Sequence, residues 1–167
     1  MNNVPKYSIH LRKATKNDCE LVHRWINEEE TRENSFSKEF IDIEEHTRWF
    51  FSKLIDPNHI YYLAINENNV PVGQIRFSIQ DDEAVVSVLV DENFRKKGLG
   101  EQIISLGSHR FFEETSIGTI HAYVKEKNSA SIKAFVNAGY IPKGTVSMHN
   151  QCVNHFILER QAAQLLN

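Results

Sequence analysis

Six consecutive residues, Arg95-Lys96-Lys97-Gly98-Leu99-Gly100, carry the clearest chemical signal in the chain. Glycines at a strand-to-helix turn let backbone N–H groups approach a ligand closely, because no Cβ stands in the way. The helix that follows adds unpaired N–H donors and the positive end of its dipole. Three cations precede the first glycine. Together these groups suit a diphosphate. The spacing is not a Walker loop, since no Lys-Ser or Lys-Thr follows the second glycine, and G-x-G-x-x-G is absent. A basic turn without a ligand is the competing reading, and the position of the turn between a strongly apolar strand and an amphipathic helix weighs against it.

Other reactive groups lie near this turn in sequence. Glu83 opens the preceding strand and Glu126 follows the next one, and either carboxylate could serve as a general base. A solvated carboxylate at a strand end explains each as well. Ser87 interrupts an apolar run, where it either faces a cleft or bonds a neighbouring backbone group. His149, Cys152 and His155 have some look of metal ligands, but a strand would turn Cys152 away from the two histidines and no fourth ligand is apparent, so no metal is expected. Cys19 and Cys152 make no disulfide framework, and nothing pairs either with a base.

The elements that must position these groups follow from periodicity. Tyr7–Ala14 reads as a strand, and Asn17 or Asp18 caps a helix bearing Leu21, Val22, Trp25 and Ile26. The polar stretch from Glu28 to Ser37 carries no periodic signal. A second helix starts near Asp42 with the apolar set Ile43, Trp49, Phe50 and Leu54. Strands at 60–65, 72–79 and 84–90 form an antiparallel meander, with turns at Asn66–Asn69 and Asp81-Asp82. A helix from about Gly98 to Glu113, a strand at 120–124, a short helix from Ser129 ended by Gly139, and two closing strands complete the order β-α-α-β-β-β-α-β-α-β-β. The fold class is α/β (α+β), with a mixed, mostly antiparallel sheet of about seven strands, about four helices, and parallel pairing of strands 84–90 and 120–124 across a right-handed crossover.

Composition sets the outer bounds. The chain has 167 residues, 41% hydrophobic and 25% charged, enough for one domain over 1–167 with a real core. A net charge of −3 gives no reason to expect nucleic acid. No apolar run is long enough to cross a membrane, and Met1–Tyr7 lacks the core of a signal peptide. The expectation is a cytoplasmic protein, and the sequence leaves monomer and homodimer open.

With its flanking strand and helix, Arg95–Gly100 resembles the Arg/Gln-x-x-Gly-x-Gly/Ala signature of the GNAT superfamily of N-acetyltransferases. Asn128, ahead of a short helix that ends at Gly139-Tyr140, is similar to a second family motif, and the element order agrees along the whole chain. In the first third, Arg24-Trp25-Ile26-Asn27 and the segment from Ile43 to Phe50 resemble amino-sugar N-acetyltransferases of bacterial surface-glycan biosynthesis, of the pseudaminic acid pathway type, as does Ala122-Tyr123-Val124. Some enzymes that acetylate protein N-termini share the first-third pattern.

The resemblance implies acetyl-CoA as donor and a small primary amine as acceptor, the amino group of a UDP-linked sugar. Acetylation of a protein N-terminus is the alternative, and a non-catalytic acyl-CoA-binding domain is a second one. It further implies that Arg95, Lys96, Lys97, Gly98, Leu99 and Gly100 hold the diphosphate, and that backbone groups of Val88, Leu89 and Val90 pair with the pantetheine arm. A bulge in that strand would aim one N–H at the thioester carbonyl. Asn128 would lie near the pantetheine or thiol end. Phe135 stands where the family often has a tyrosine acid, and a phenyl ring cannot donate a proton. Tyr123 and Tyr140 are the other tyrosines considered for that role. The catalytic candidates are Glu83, Ser87, Tyr123 and Glu126. Arg24, Arg32, His46, Arg48 and Trp49 are the acceptor-binding candidates, and a charged or apolar helix surface explains each of them comparably well.

Overall fold

The computed structural model describes residues 7–164. Seven strands form one sheet in the order β1-β2-β3-β4-β5-β7-β6. They are β1 (Ile9–Lys13), β2 (His59–Asn66), β3 (Pro71–Gln80), β4 (Glu83–Val90), β5 (Thr119–Lys125), β6 (Ile141–Met148) and β7 (Gln151–Glu159). The helices are α1 (Cys19–Asn27), α2 (Glu29–Asn34), α3 (Ile43–Ile55), α4 (Leu99–Glu114), α5 (Ser129–Asn137) and α6 (Arg160–Gln164). Tight turns join β2 to β3, β3 to β4 and β6 to β7, and Asn69, Asp81, His149 and Asn150 take the positive φ that such turns require.

Among the described residues the β4/β5 pair is the only parallel one, and it is short. Glu83, Ala84 and Val85 pair with Thr119, Ile120 and His121, and there the pairing stops. On its other side β4 stays paired with β3 up to Val90, opposite Gly73, and β5 stays paired with β7 up to Lys125. The two strands therefore diverge beyond Val85 and His121, and their facing edges carry unpaired backbone groups.

Helices α4 and α5 cover one face of the sheet. Leu99, Ile103, Ile104, Phe111 and Phe135 are buried there against Ile75, Phe77, Val86, Ile120, Ala122 and Phe156. Each such side chain contributes about 1.5–3 kcal/mol by leaving water. Gly107 lets α4 lie close on β3, since a Cβ at that position would stand 2.6 Å from Ile75 Cδ1. On the opposite face α1 and α3 bury Val22, Trp25 and Phe50 against Tyr61, Leu63 and Ile65 of β2. The cluster under α1 and α3 reaches β4 at Leu89. Over β4, Val85 remains 42% exposed and Ser87 is also exposed.

Two expectations are corrected. The polar stretch after α1 contains helix α2, so the protein has six described helices rather than about four. Side-chain bonds from outside hold α2, as set out below, and an apolar period does not report such bonds. The expected bulge in β4 is absent, because the β3/β4 register runs unbroken from Gln80↔Glu83 to Gly73↔Val90.

Candidate active site

The turn after β4 leaves several amides free at the mouth of α4. Lys96 (φ 60) and Gly98 (φ 75) both adopt left-handed backbone around Lys97. Alternating handedness of this kind turns successive N–H groups toward one side. Gly98 is the N-cap of α4, and the first bond back to the cap comes from Gln102 N–H, at 3.4 Å from Gly98 O. The amides of Leu99, Gly100 and Glu101 thus have no intrahelical acceptor. A Cβ built on Gly98 would meet nothing within 4 Å, so the space before these amides is open. The residues present fit a coenzyme A diphosphate, and the diverging edges of β4 and β5 fit its pantetheine arm as an added strand.

The Arg95 side chain is engaged elsewhere. Its guanidinium pairs with the Glu28 carboxylate, with Nη1 3.0 Å from Oε1, and Nη1 also lies 2.9 Å from Glu30 Oε2. This pairing holds Glu28 below the usual carboxylate range and raises Arg95. Arg95 thereby ties the mouth of α4 to the start of α2, and only its main chain is left for the phosphate turn. Lys97 donates to Asn93 O at 3.1 Å, and Lys96 is exposed. Val88, Leu89 and Val90 line the β4 side of the cleft, and Asn128 stands across it as the N-cap of α5, accepting from Ser131 N–H at 3.1 Å.

Glu83, Ser87, Tyr123 and two histidines share the uncovered half of the second face. His121 Nδ1 and His155 Nε2 are 2.9 Å apart. His121 Nε2 is buried, makes no well-aligned hydrogen bond, and lies 3.2 Å from Glu83 Oε2. The Tyr123 ring stacks on His155 at 4.8 Å, and the two imidazoles stack at 5.2 Å. These groups come from the adjacent strands β4, β5 and β7 at the point where β4 and β5 separate. Glu126 sits outside this group, exposed in the turn after β5.

A second set of contacts closes one side of this face. Gln151 donates to Phe36 O at 2.9 Å, and the Phe36 and His149 rings lie 4.7 Å apart. Lys125 donates to Glu33 O at 3.2 Å. The segment between α2 and α3 therefore reaches the β6–β7 hairpin. On the other side, the Arg76 guanidinium lies over the Trp49 ring at 4.9 Å with no carboxylate partner among the described residues, and Arg76 is in register with Ser87.

The acceptor-binding candidates divide. Arg24 and Arg48 are exposed, and Trp49 is half-buried beneath Arg76. Arg32 and His46 are corrected to structural positions. Arg32 spends its guanidinium on Ile26 O, Ser37 O, Glu39 O and Ser35 Oγ, fastening the segment after α2. His46 is 1% exposed, 5.4 Å from the Phe50 ring and 5.5 Å from His23, and burial holds it below the ordinary histidine range. Charge in a sequence does not reveal which side of a helix meets backbone carbonyls. Phe135 is 3% exposed and packs on Tyr140 and Phe156. The Tyr140 hydroxyl is 2.8 Å from Ser108 Oγ inside the core, which removes it as an acid. His121 and Arg76 escaped the sequence reading, and His155 entered it only as a rejected metal ligand. The available signal was His121 and Tyr123 at alternate positions of one strand, hence on one face.

A sheet with one short parallel pair, opening onto a helix N-terminus across a glycine turn, defines a protein built to hold an acyl-CoA between two strands. The chain belongs to the GNAT acetyltransferase family, whose acetyltransferase (GNAT) domain model matches residues 8–141, and acetyl-CoA is its donor. Acetyltransferase PseH of Campylobacter jejuni subsp. jejuni serotype O:23/36 (strain 81-176) is 27% identical over 120 residues, covering 71% of this chain and 73% of that protein. Two solved structures share the fold. Aminoglycoside acetyltransferase AAC(6')-Ib in complex with coenzyme A aligns with a TM-score of 0.83 at 19% identity, covering 95% of this chain and 98% of that one. Spermidine N-acetyltransferase from Vibrio cholerae, in complex with CoA and spermine, aligns with a TM-score of 0.84 at 14% identity, covering 95% and 98%.

Proposed function

We propose that this protein acetylates the primary amine of a small molecule, and that the acceptor is an amino sugar carried on a nucleotide diphosphate, as in the making of bacterial surface or flagellin glycans. The observation that carries the small-molecule reading is the closure of the acceptor face by Phe36, His149 and Gln151. A peptide needs a groove it can cross, and this contact stops one side of it. The sugar-nucleotide part draws on the likeness to PseH and on the unpaired Arg76 guanidinium beside Ser87, a partner suited to phosphate or carboxylate.

Within this reading, the amides of Leu99 to Glu101 orient the diphosphate, and the open edges of β4 and β5 align the donor beside the acceptor face. Acetyl-CoA supplies the acetyl group as a thioester. Holding both reactants in one geometry supplies much of the rate without a covalent enzyme intermediate. Tyr123, whose hydroxyl has no hydrogen bond among the described residues, donates the proton that the departing sulfur needs. The free thiols of Cys19 and Cys152 suit a cytoplasmic setting, and residues 1–167 act as one domain.

The test is thiol release from acetyl-CoA with a panel of amines: a UDP-linked amino sugar, an aminoglycoside, a polyamine and peptides with free N-termini. The sugar nucleotide is expected to give the highest kcat/KM. Preference for a peptide N-terminus would replace this reading with the second one. Binding of acetyl-CoA without release by any amine would favour a non-catalytic domain.

A further inference from the structure

We propose that His155 is the general base that takes the proton from the acceptor ammonium, with His121 and Glu83 as the residues that set its tautomer and stabilise its charged form. This rests on the amine-acetylating function proposed above and assigns a role to three side chains in that site.

The hydrogen-bond pattern selects the roles. The 2.9 Å contact between His121 Nδ1 and His155 Nε2 holds one proton, so one nitrogen donates and the other accepts. If His121 Nδ1 carried it, the Nε2 of that neutral ring would turn a lone pair toward Glu83 Oε2, 3.2 Å away. The opposite assignment turns a proton, not a lone pair, toward that carboxylate. His155 Nε2–H donates to His121 Nδ1, His121 Nε2–H faces the Glu83 carboxylate, and His155 Nδ1 keeps a free lone pair. The same logic orients the imidazole of a Ser-His-Asp triad, where the carboxylate fixes the tautomer without becoming protonated.

Position supports the role. The three residues occupy adjacent strands where β4 and β5 part, on the face that α1 and α3 leave open. The Tyr123 ring at 4.8 Å holds the His155 plane. Its register partner on β6 is Gly144, where a Cβ would meet nothing within 4 Å, so that flank of His155 is free for a ligand. The groups facing the pair are Glu83 from β4, Tyr123 from β5 and Lys143 from β6. Burial, His121 and Lys143 hold His155 below the ordinary histidine range, against the pull of Glu83. The base is thus neutral and ready at pH 7.

In the step itself, one N–H bond of the acceptor ammonium breaks and its electron pair stays on nitrogen. The proton bonds to His155 Nδ1, and the positive charge is shared through His121 toward Glu83. Once the amide product has left, the same proton passes from Nδ1 to water. Nothing is oxidised or reduced.

Long-range 15N–1H spectra of the free protein are the first test. They should show both rings as Nε2–H tautomers with His155 Nδ1 unprotonated; a His155 Nδ1–H tautomer overturns the assignment. For turnover, His155→Ala and His155→Gln should each lower kcat/KM about 100-fold or more at pH 7, with coenzyme A affinity unchanged, and the deficit should shrink as rising pH supplies neutral amine. His121→Asn and Glu83→Gln should displace the acid limb of the pH profile. Turnover in both His155 variants equal to that of the unmodified protein, or a deficit independent of pH, overturns the base role alone. Absence of amine-dependent thiol release in the unmodified protein would instead overturn the functional reading beneath it.

Discussion

The Trp25 indole N–H donates to Asp91 Oδ2 at 2.7 Å, joining the last turn of α1 to the residue that follows β4. Asp91 also caps the turn that follows, through Asn93 N–H at 2.8 Å. One carboxylate thus couples the helix beside the acceptor face to the strand that leads into the phosphate turn. Trp25→Phe keeps an aromatic ring in the buried site, removes the donor and leaves part of the indole volume unfilled. Stability should fall by about 1.5–3 kcal/mol, the usual value of a hydrogen bond to a charged group, read from the denaturant midpoint. Coenzyme A affinity should fall with it, because Asp91 loses its tie to α1.

Gly98→Ala tests the phosphate turn. The new Cβ meets no protein atom within 4 Å but sits at φ 75, which costs about 1–2 kcal/mol in an L-residue. It would also project into the space assigned to the diphosphate. The expected result is a folded protein whose dissociation constant for coenzyme A rises at least tenfold by calorimetry. Unchanged affinity would move the diphosphate away from Gly98.

Arg95→Gln separates main chain from side chain at the first signature position. Because the guanidinium serves Glu28 and Glu30, coenzyme A affinity should change by less than about threefold, a difference below 1 kcal/mol. The amides of α2 should exchange hydrogen faster, since the helix loses its main external tie.

These variants mark what could be read in advance. The strand, turn and helix from Ala84 to Glu114 were legible because β-branched alternation, two glycines and an apolar helical period are all local signals. Helix α2 was not, because its support comes from Arg95, far along the chain. The Glu83–His121–His155 group was hidden for a related reason. It exists only because β7 pairs with β5, inserting itself between β5 and β6, an order that no local pattern encodes. Arg32 and His46 show the converse, since their types suggested a substrate and their surroundings gave them carbonyls and a core.

Acid should destabilise the fold in two stages. Burial holds His46, His59 and His155 below the ordinary histidine range. The unfolded chain therefore binds more protons just below neutrality, and stability rises with pH there. That contribution is complete above the unfolded histidine value of about 6.5 and is lost as pH falls through the depressed values. Glu114, bonded by Lys13, Tyr62 and Arg110, is held down at about 2, and its contribution fades from the ordinary glutamate range toward that value. Urea midpoints should hold level from pH 8 to about pH 6.5 and decline from there to pH 3, and His46→Gln should flatten the upper stage. A midpoint that rises between pH 7 and pH 5 would contradict this sign.

A crystal structure with coenzyme A bound tests the central claim most directly. The diphosphate oxygens should lie within hydrogen-bond distance of the amides of Leu99, Gly100 and Glu101, with the pantetheine arm between Val86–Val90 of β4 and Ala122–Lys125 of β5. A diphosphate seated on Arg24, Arg48 or Arg76, with the gap between those strands empty, would contradict it.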